Sequence, residues 1–306
     1  MIHIREIQNY LQCDYCGKKD VYIHKICSLD DNDSEGAIAF YQKNIIDDYL
    51  KKSKASVILV PENIGVRVKN KNLLLSKNPK IDFIKIYTKY FKKQIEPAIH
   101  PSAVIDSVDV SVSKDICIGA HVYIGNNVQI GKNVVIEPNS TVHSNTFIGN
   151  NVHIGSNTCL GNDGFGFEKI GHRYIQFPQI SNLIIEDNVY IGSNSNINKG
   201  TLSPTIISRN VIIDDHVHIA HNVEIGENTV IAGMSGIAGS SKIGKNCILA
   251  GKVGIKDHIH ICDNVIIMGA SNVVKNITKP GKYSGTPAIA HTRNLRNLVD
   301  KFKSKS

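Results

Sequence analysis

Residues 207–231 read ISRNVIIDDHVHIAHNVEIGENTVI and place an aliphatic residue at every sixth position: Ile207, Ile213, Ile219, Ile225 and Ile231. Two residues before most of these stands a second β-branched side chain, as at Val211, Val217 and Val223. A step of six fits neither the turn of an α-helix nor the heptad of a coiled coil. It suits one short flat strand and one turn per repeat, with three repeats closing a triangular coil. The aliphatic side chain then points into a prism. The residue after it must be small where the chain bends, and Gly and Asn also tolerate left-handed backbone angles there. Successive coils stack about 4.8 Å apart, each pairing only with its neighbours.

Outward from this stretch, the same step runs from Ile118 through Ile124, Ile130, Ile136, Val142, Ile148 and Ile154 to Leu160. It resumes at Ile185, Ile191 and Ile197, and continues past Ile231 to Val273. The expected fold class is a left-handed parallel β-helix of six-residue repeats over 98–280. Residues 1–97 lack the repeat and mix short strand-like runs (VYIHKIC, ASVILVP, NLLL) with a helical opening and close, which predicts a small α/β domain. Residues 281–306 form an extension ending in a short basic helix from about Ala290 to Phe302. The repeat breaks twice, at 161–183 (GNDGFGFEKIGHRYIQFPQISNL) and at 199–205. Insertions in a solenoid project as loops, and loops are where binding sites are built.

Composition narrows the function classes. Of 306 residues, 42% are hydrophobic and 20% charged, the balance of a globular chain rather than a disordered one. No run reaches the ~20 apolar residues of a membrane span. The opening MIHIREIQNYLQ has no apolar targeting segment, so a cytoplasmic location without stable membrane insertion is expected. The seven cysteines are odd in number and scattered, which argues against a disulfide framework. A net charge of +8 attracts anions such as nucleotide phosphates or an acidic protein. No nucleic-acid module accompanies the basic tail, and with no Trp and 6% aromatics no stacking platform for single strands is expected.

The period also locates candidate chemistry. One coil is eighteen residues, so His221 falls one coil below Gly239, and Asn222 two coils below His258. His221, Gly239 and His258 therefore share one edge, the histidines about 10 Å apart. A neutral imidazole there could take a proton from an amine attacking a thioester, and the Gly239 N–H could hold the resulting oxyanion. The plainer reading is that some of the thirteen histidines occupy surface turns without a task. His216 and His221 also have a zinc-like spacing, but counting two coils down from His216 gives Ile180, so no third imidazole is expected. Cys13, Cys16, His24 and Cys27 form a second possible zinc set, weakened because VYIHKIC as a strand would turn His24 and Cys27 to opposite faces. Cys117, Cys159 and Cys247 stand at repeat positions where small residues pack.

The segments GNDGFGF, HIAHNVEIGENTVIAG, GIAGSSKIG, GIKDHIHICDNV and PGKYSGTP, with ICSLDD and KASVILVP near the start, resemble the UDP-3-O-(3-hydroxyacyl)glucosamine N-acyltransferases of lipid A biosynthesis over nearly the whole chain. The resemblance implies a homotrimer with active sites between subunits. It implies transfer of a 3-hydroxyacyl chain from acyl carrier protein to the 2-amino group of a UDP-glucosamine derivative, with no cofactor beyond the acyl thioester. His221 matches the family's base, Gly239 its oxyanion amide, and His258, with Asn222 beside the base, its substrate-binding positions. Gly164, Phe165, Gly166 and Tyr283 would border the substrates. Phe40 would stack on uracil in a uridine-binding N-terminal domain, beside Lys43, and the basic C-terminal helix would suit an acidic carrier protein. The chain departs from the pattern in four places. Lys43 stands where the family has an Asn, Asn198–Lys199 replace an acidic–basic pair, Asp257 replaces a Gly, and the C-terminal helix is short. These departures admit a second enzymatic reading, acylation of another UDP- or dTDP-linked amino sugar from coenzyme A in surface polysaccharide synthesis. A non-catalytic trimeric scaffold is the third reading.

Overall fold

The computed structural model describes residues 1–306 except 65–67, 69, 94–95, 107–109 and 304–306. The chain divides into two compact units, Met1–Gln94 and Ile95–Ser306.

The first unit is built on a five-stranded sheet in the order Asp14–Cys16, Leu73–Ser76, Val57–Pro61, Ala37–Phe40, Lys25–Ile26. Only the Asp14–Cys16 edge strand runs antiparallel to its neighbour. Val57–Pro61 is buried on both faces, as a central parallel strand must be. Its alternate residues feed two cores: Val57 and Leu59 join Ile4, Ile7 and Ile86, while Ile58 and Val60 join Leu50 and Tyr41. Helices α1 (Ile4–Leu11) and α3 (Pro79–Ile86) supply the first set, and α2 (Asp48–Lys52) supplies the second. The expected single strand in VYIHKIC breaks at His24 into Tyr22–Ile23 and Lys25–Ile26, which join different sheets. Cys13 and Cys16 lie at one edge of the five-stranded sheet and Cys27 follows the strand at the other, four strand spacings or ~19 Å away. The Cys13–Cys16–His24–Cys27 set is therefore not assembled.

The second unit is a left-handed parallel β-helix whose walls, among the described residues, have eight, eleven and nine strands, the eleven including the antiparallel Ile289–Ala290. Most strands are two residues long and bury the second residue, as in Tyr123–Ile124 and His218–Ile219. Register follows the eighteen-residue coil: Ile118 pairs with Ile136, and Ile219 with Ile237. The inward aliphatics and the residue two positions earlier form one continuous core from Ile116 to Ile277. Left-handed angles belong to the corners, where Asn dominates: Asn127, Asn133, Asn151, Asn222 and Asn246 all have φ between 52° and 60°. Several of these amides bond up the axis, Asn133 to Asn151 and Asn151 to Asn188 at 3.1 Å each. The Gly after the inward residue serves a different purpose. At Gly226 an added Cβ would lie 2.6 Å from the backbone of the next coil, so closeness of the coils selects glycine there. Cys247 packs in the core as expected, whereas Cys117 and Cys159 take the outward strand position and are only half-buried.

The two interruptions leave the prism intact. Residues 161–183 carry an antiparallel hairpin, Phe167–Ile170 with Arg173–Gln176, and the coil then resumes so that Ile185 pairs with Ile148. The 199–205 insertion leaves Ile207 paired with Ile185. Counting eighteens across these breaks fails. His216 lies over Asn194, and Asn194 over Asn157, through the pairings Tyr190–Ile212 and His153–Tyr190. Ile180 belongs to the insertion and donates its N–H to Thr201. No imidazole therefore stands one or two coils below His216, for a different neighbour than the count gave. The solenoid also runs beyond 280, because Gly281–Ser284 pairs in parallel with Val265–Ile267 before Ile289–Ala290 leads into α4 (His291–Lys303).

Candidate active site

The pairing of His218–Ile219 with Gly236–Ile237 carries His221 directly under Gly239 at one corner of the prism. One coil higher, His258 donates its N–H to the Gly239 carbonyl at 3.0 Å. All three line an open cleft of about 850 Å³. Its floor is the outward face of one wall, where His218, Gly236, Gly254 and Asn272 follow one another coil by coil. An added Cβ at Gly236 would meet nothing within 4 Å, so the floor above His218 is an open trough. At its far end the Asn272 amide donates to Thr286 Oγ1 at 3.2 Å.

The imidazole of His221 is held from one side. Its Nδ1 lies 2.9 Å from Asn222 Oδ1. Asn222 Nδ2 donates to the Ser203 carbonyl at 2.6 Å and Ser203 Oγ at 2.9 Å, while Oδ1 accepts from Thr201 Oγ1 at 2.8 Å. A carbonyl can only accept, so the Asn222 amide nitrogen must face Ser203 and its oxygen the imidazole. In the neutral ring Nδ1 of His221 therefore carries the proton, and Nε2 presents a lone pair. Gly239 lies against that nitrogen: an added Cβ would be 2.8 Å from Nε2 and 2.6 Å from Cε1. The φ of Gly239 lies outside the left-handed region, so the ring requires glycine here. Among the described residues no group accepts a hydrogen bond from the Gly239 N–H.

The loop leaving Leu160 closes on the same ring. Gly164 abuts His221, where an added Cβ would be 2.9 Å from both Cβ and Cδ2. Phe165, 84% exposed, stands at the rim of the cleft. Gly166 turns away toward Gln179. Below them Lys199 Nζ pairs with Asp163 Oδ1 at 2.9 Å, beside half-buried His143, whose imidazole is pushed below its ordinary range by burial first and Lys199 second. Burial also pushes the His218 imidazole down, which favours its neutral form. Tyr283 is not at the cleft. It lies on another wall, paired with Ile267, and donates its hydroxyl to the Lys279 carbonyl at 2.9 Å. Thr286 of the same segment reaches the cleft instead.

In the first unit Phe40 and Lys43 line a separate cavity of about 360 Å³ with Ser28 and Tyr49. Phe40 packs on Phe83 at 4.9 Å between ring centroids. Lys43 Nζ is 2.9 Å from Asp47 Oδ2, and Asp47 caps α2 by accepting the Leu50 N–H at 3.0 Å. That N–H bond and then Lys43 hold the Asp47 carboxyl at about 2.

The bacterial transferase hexapeptide model (six repeats) matches residues 127–162 and 204–239. A UDP-3-O-acylglucosamine N-acyltransferase of Coxiella burnetii is 38% identical over 94% of this chain and 89% of its own length. The chain belongs to the UDP-3-O-acylglucosamine N-acyltransferase family. This N-acyltransferase is also 46% identical, over 47% of its length and 46% of the relative's, to the protein of that name from Pseudoalteromonas translucida. Among solved structures, the UDP-N-acetylglucosamine acyltransferase of Campylobacter jejuni matches with a TM-score of 0.56 at 27% identity, covering 67% of this chain and 81% of that one. The cleft of this N-acyltransferase holds residues that the sequence reading passed over: His218, Gly236, Gly254, Asn272 and Thr286. Applying the eighteen-residue step to His218 yields Gly236, Gly254 and Asn272 in turn, so the signal for three of them was present.

Proposed function

We propose that the chain moves a 3-hydroxyacyl group from a thioester on acyl carrier protein to the 2-amino group of a UDP-linked 3-O-acylglucosamine. In this reading it acts as a cytoplasmic homotrimer and uses no cofactor beyond the thioester. The observation that carries it is the His221 ring, protonated at Nδ1 by its bond to Asn222 and presenting Nε2 to the cleft beside Gly239. As the amine attacks the thioester carbonyl, Nε2 takes its proton, and the Gly239 N–H donates to the oxyanion. Collapse expels the thiolate, which recovers the proton from the imidazolium, leaving an amide and a free thiol. The cleft supplies orientation, with the acyl chain or its pantetheine arm laid along the open trough at Gly236. The nucleotide would occupy the Phe40 cavity, and the basic face of α4 would receive the acidic carrier.

Lys43 favours a second reading. An ammonium paired with Asp47 replaces the amide the family resemblance expects at the nucleotide cavity, which suits a different base or sugar. Thiol release from acyl carrier protein and coenzyme A donors, tested against UDP- and dTDP-amino sugars, separates the two readings. Release from the carrier with a UDP-3-O-acylglucosamine supports the first. Release only from coenzyme A with a dTDP-sugar supports the second.

A further inference from the structure

The second insertion touches both the loop that carries Gly164 and Phe165, the flap over the cleft's rim, and the histidine. At its start, Asn198 is 3% exposed and its Nδ2 donates to the carbonyl of Asp163 at 3.2 Å and to Asn196 Oδ1 at 3.2 Å. An aspartate at 198 would set a carboxylate against these oxygens, so the amide is the form that fits. Lys199 adds a backbone bond to the Asn162 carbonyl at 3.1 Å and the ion pair to Asp163 at 2.9 Å. Together they pin the outgoing limb of the first insertion just before Gly164 lies against His221. The return limb is pinned by the same segment, since Ile180 and Ser181 both donate to the Thr201 carbonyl at 2.9 Å. Thr201 and Ser203 then hold the Asn222 amide that fixes the His221 tautomer. Among the described residues, the backbone hydrogen bonds of 164–177 stay within that stretch: Gly166 to Gly164, Phe177 to Gly166 and those across the hairpin.

We propose that residues 198–203 are a positioning strut: Lys199 and Asn198 set the Gly164–Phe165 flap, and Thr201 sets the Asn222 amide, so that one segment fixes the His221 ring from both sides. Lys199 and Thr201 are positioning residues that act through other groups. The inference rests on the acyl-transfer reading for its kinetic half only.

The test is a double-mutant cycle with Lys199→Met and Thr201→Val in the full-length protein. Each single change should lower kcat about 10-fold while KM for both substrates stays within about 2-fold, because the base is misplaced and substrate contacts are kept. Since both act on one ring, the double variant should lose about 20-fold rather than the ~100-fold product. Lys199→Arg and Thr201→Ser should restore kcat to within about 3-fold of wild type. Multiplying effects, or losses confined to KM, would overturn the proposal. A substrate-free readout accompanies the kinetics: trypsin cleavage at Lys169 and Arg173 in the hairpin, followed by mass spectrometry. Lys199→Met should speed cleavage about 10-fold by freeing the flap root. A wild-type protein without transfer activity would sink the acyl-transfer reading and leave this cleavage ratio to decide the strut, with equal rates overturning it.

Discussion

Replacing Gly239 with alanine tests the catalytic corner with a single methyl. The added carbon would stand 2.6 Å from His221 Cε1 and 2.8 Å from Nε2. Carbon contacts settle at about 3.5–4.0 Å, so the ring must retreat by roughly 1 Å. It cannot do so freely, because Nδ1 is tied to Asn222 at 2.9 Å and Gly164 closes on Cβ and Cδ2. Either the Asn222 bond stretches past hydrogen-bonding length or Nε2 swings off the attacking amine. A misplacement of that size costs about 10²-fold, or about 2.7 kcal/mol of barrier. The backbone N–H of residue 239 is retained, so the loss reports the position of the base and leaves the oxyanion donor in place. Continuous thiol-release kinetics measures it, alongside thermal unfolding to confirm that the prism is unaffected. Gly251→Ala serves as a control at another corner, where the added carbon would meet only the Gly233 carbonyl at 3.4 Å. If Gly239→Ala kept kcat/KM within about 3-fold of wild type, the stated contact between base and donor would be wrong.

Removing the base itself, His221→Ala, should lower kcat by about 10²–10⁴-fold with assembly unchanged by light scattering. Asn222→Ala frees the ring to adopt the other tautomer and should cost about 10–10²-fold in kcat at neutral pH, read in the same thiol assay. Gly236→Leu fills the open floor of the trough and should shift donor preference toward shorter acyl thioesters, measured as a ratio of kcat/KM values across chain lengths. The Asp47 carboxyl, held at about 2 against an ordinary value near 3.8, contributes stability that is complete above the ordinary carboxylate range and lost as pH falls through about 2. Asp47→Asn should therefore melt earlier than wild type at pH 7 and converge with it near pH 2 in thermal scans.

The architecture was legible because its period is stiff: each inward Ile announces a strand, and eighteen residues later another must lie above it. His221, Gly239 and His258 were found by that count, since no insertion falls between them. The count failed below Ile207, where the residue two coils under His216 is Asn157 rather than the predicted Ile180, because looped-out residues consume sequence without adding height. Glycine was misread in part, since a single letter cannot tell a left-handed corner from close approach of the next coil, as at Gly226. Asn222 was assigned from the family resemblance, and its role as the orienting amide needed the fixed hydrogen bonds to Ser203 and Thr201. Tyr283 was assigned from the family resemblance alone, and within one chain its strand joins a different wall from the one that floors the cleft.

The looped-out stretches enter and leave the prism at its corners, and the wall rejoins in register across thirty-seven residues at Ile148–Ile185 and twenty-two at Ile185–Ile207. A molecule built this way separates its load-carrying column from its exchangeable fittings. Lengthening or recasting the hairpin at 167–176 would change what a ligand meets at the rim while the stacked coils keep the base and its neighbouring amide one rise apart. Substrate choice in such a chain can drift through its excursions without disturbing the machinery beneath them.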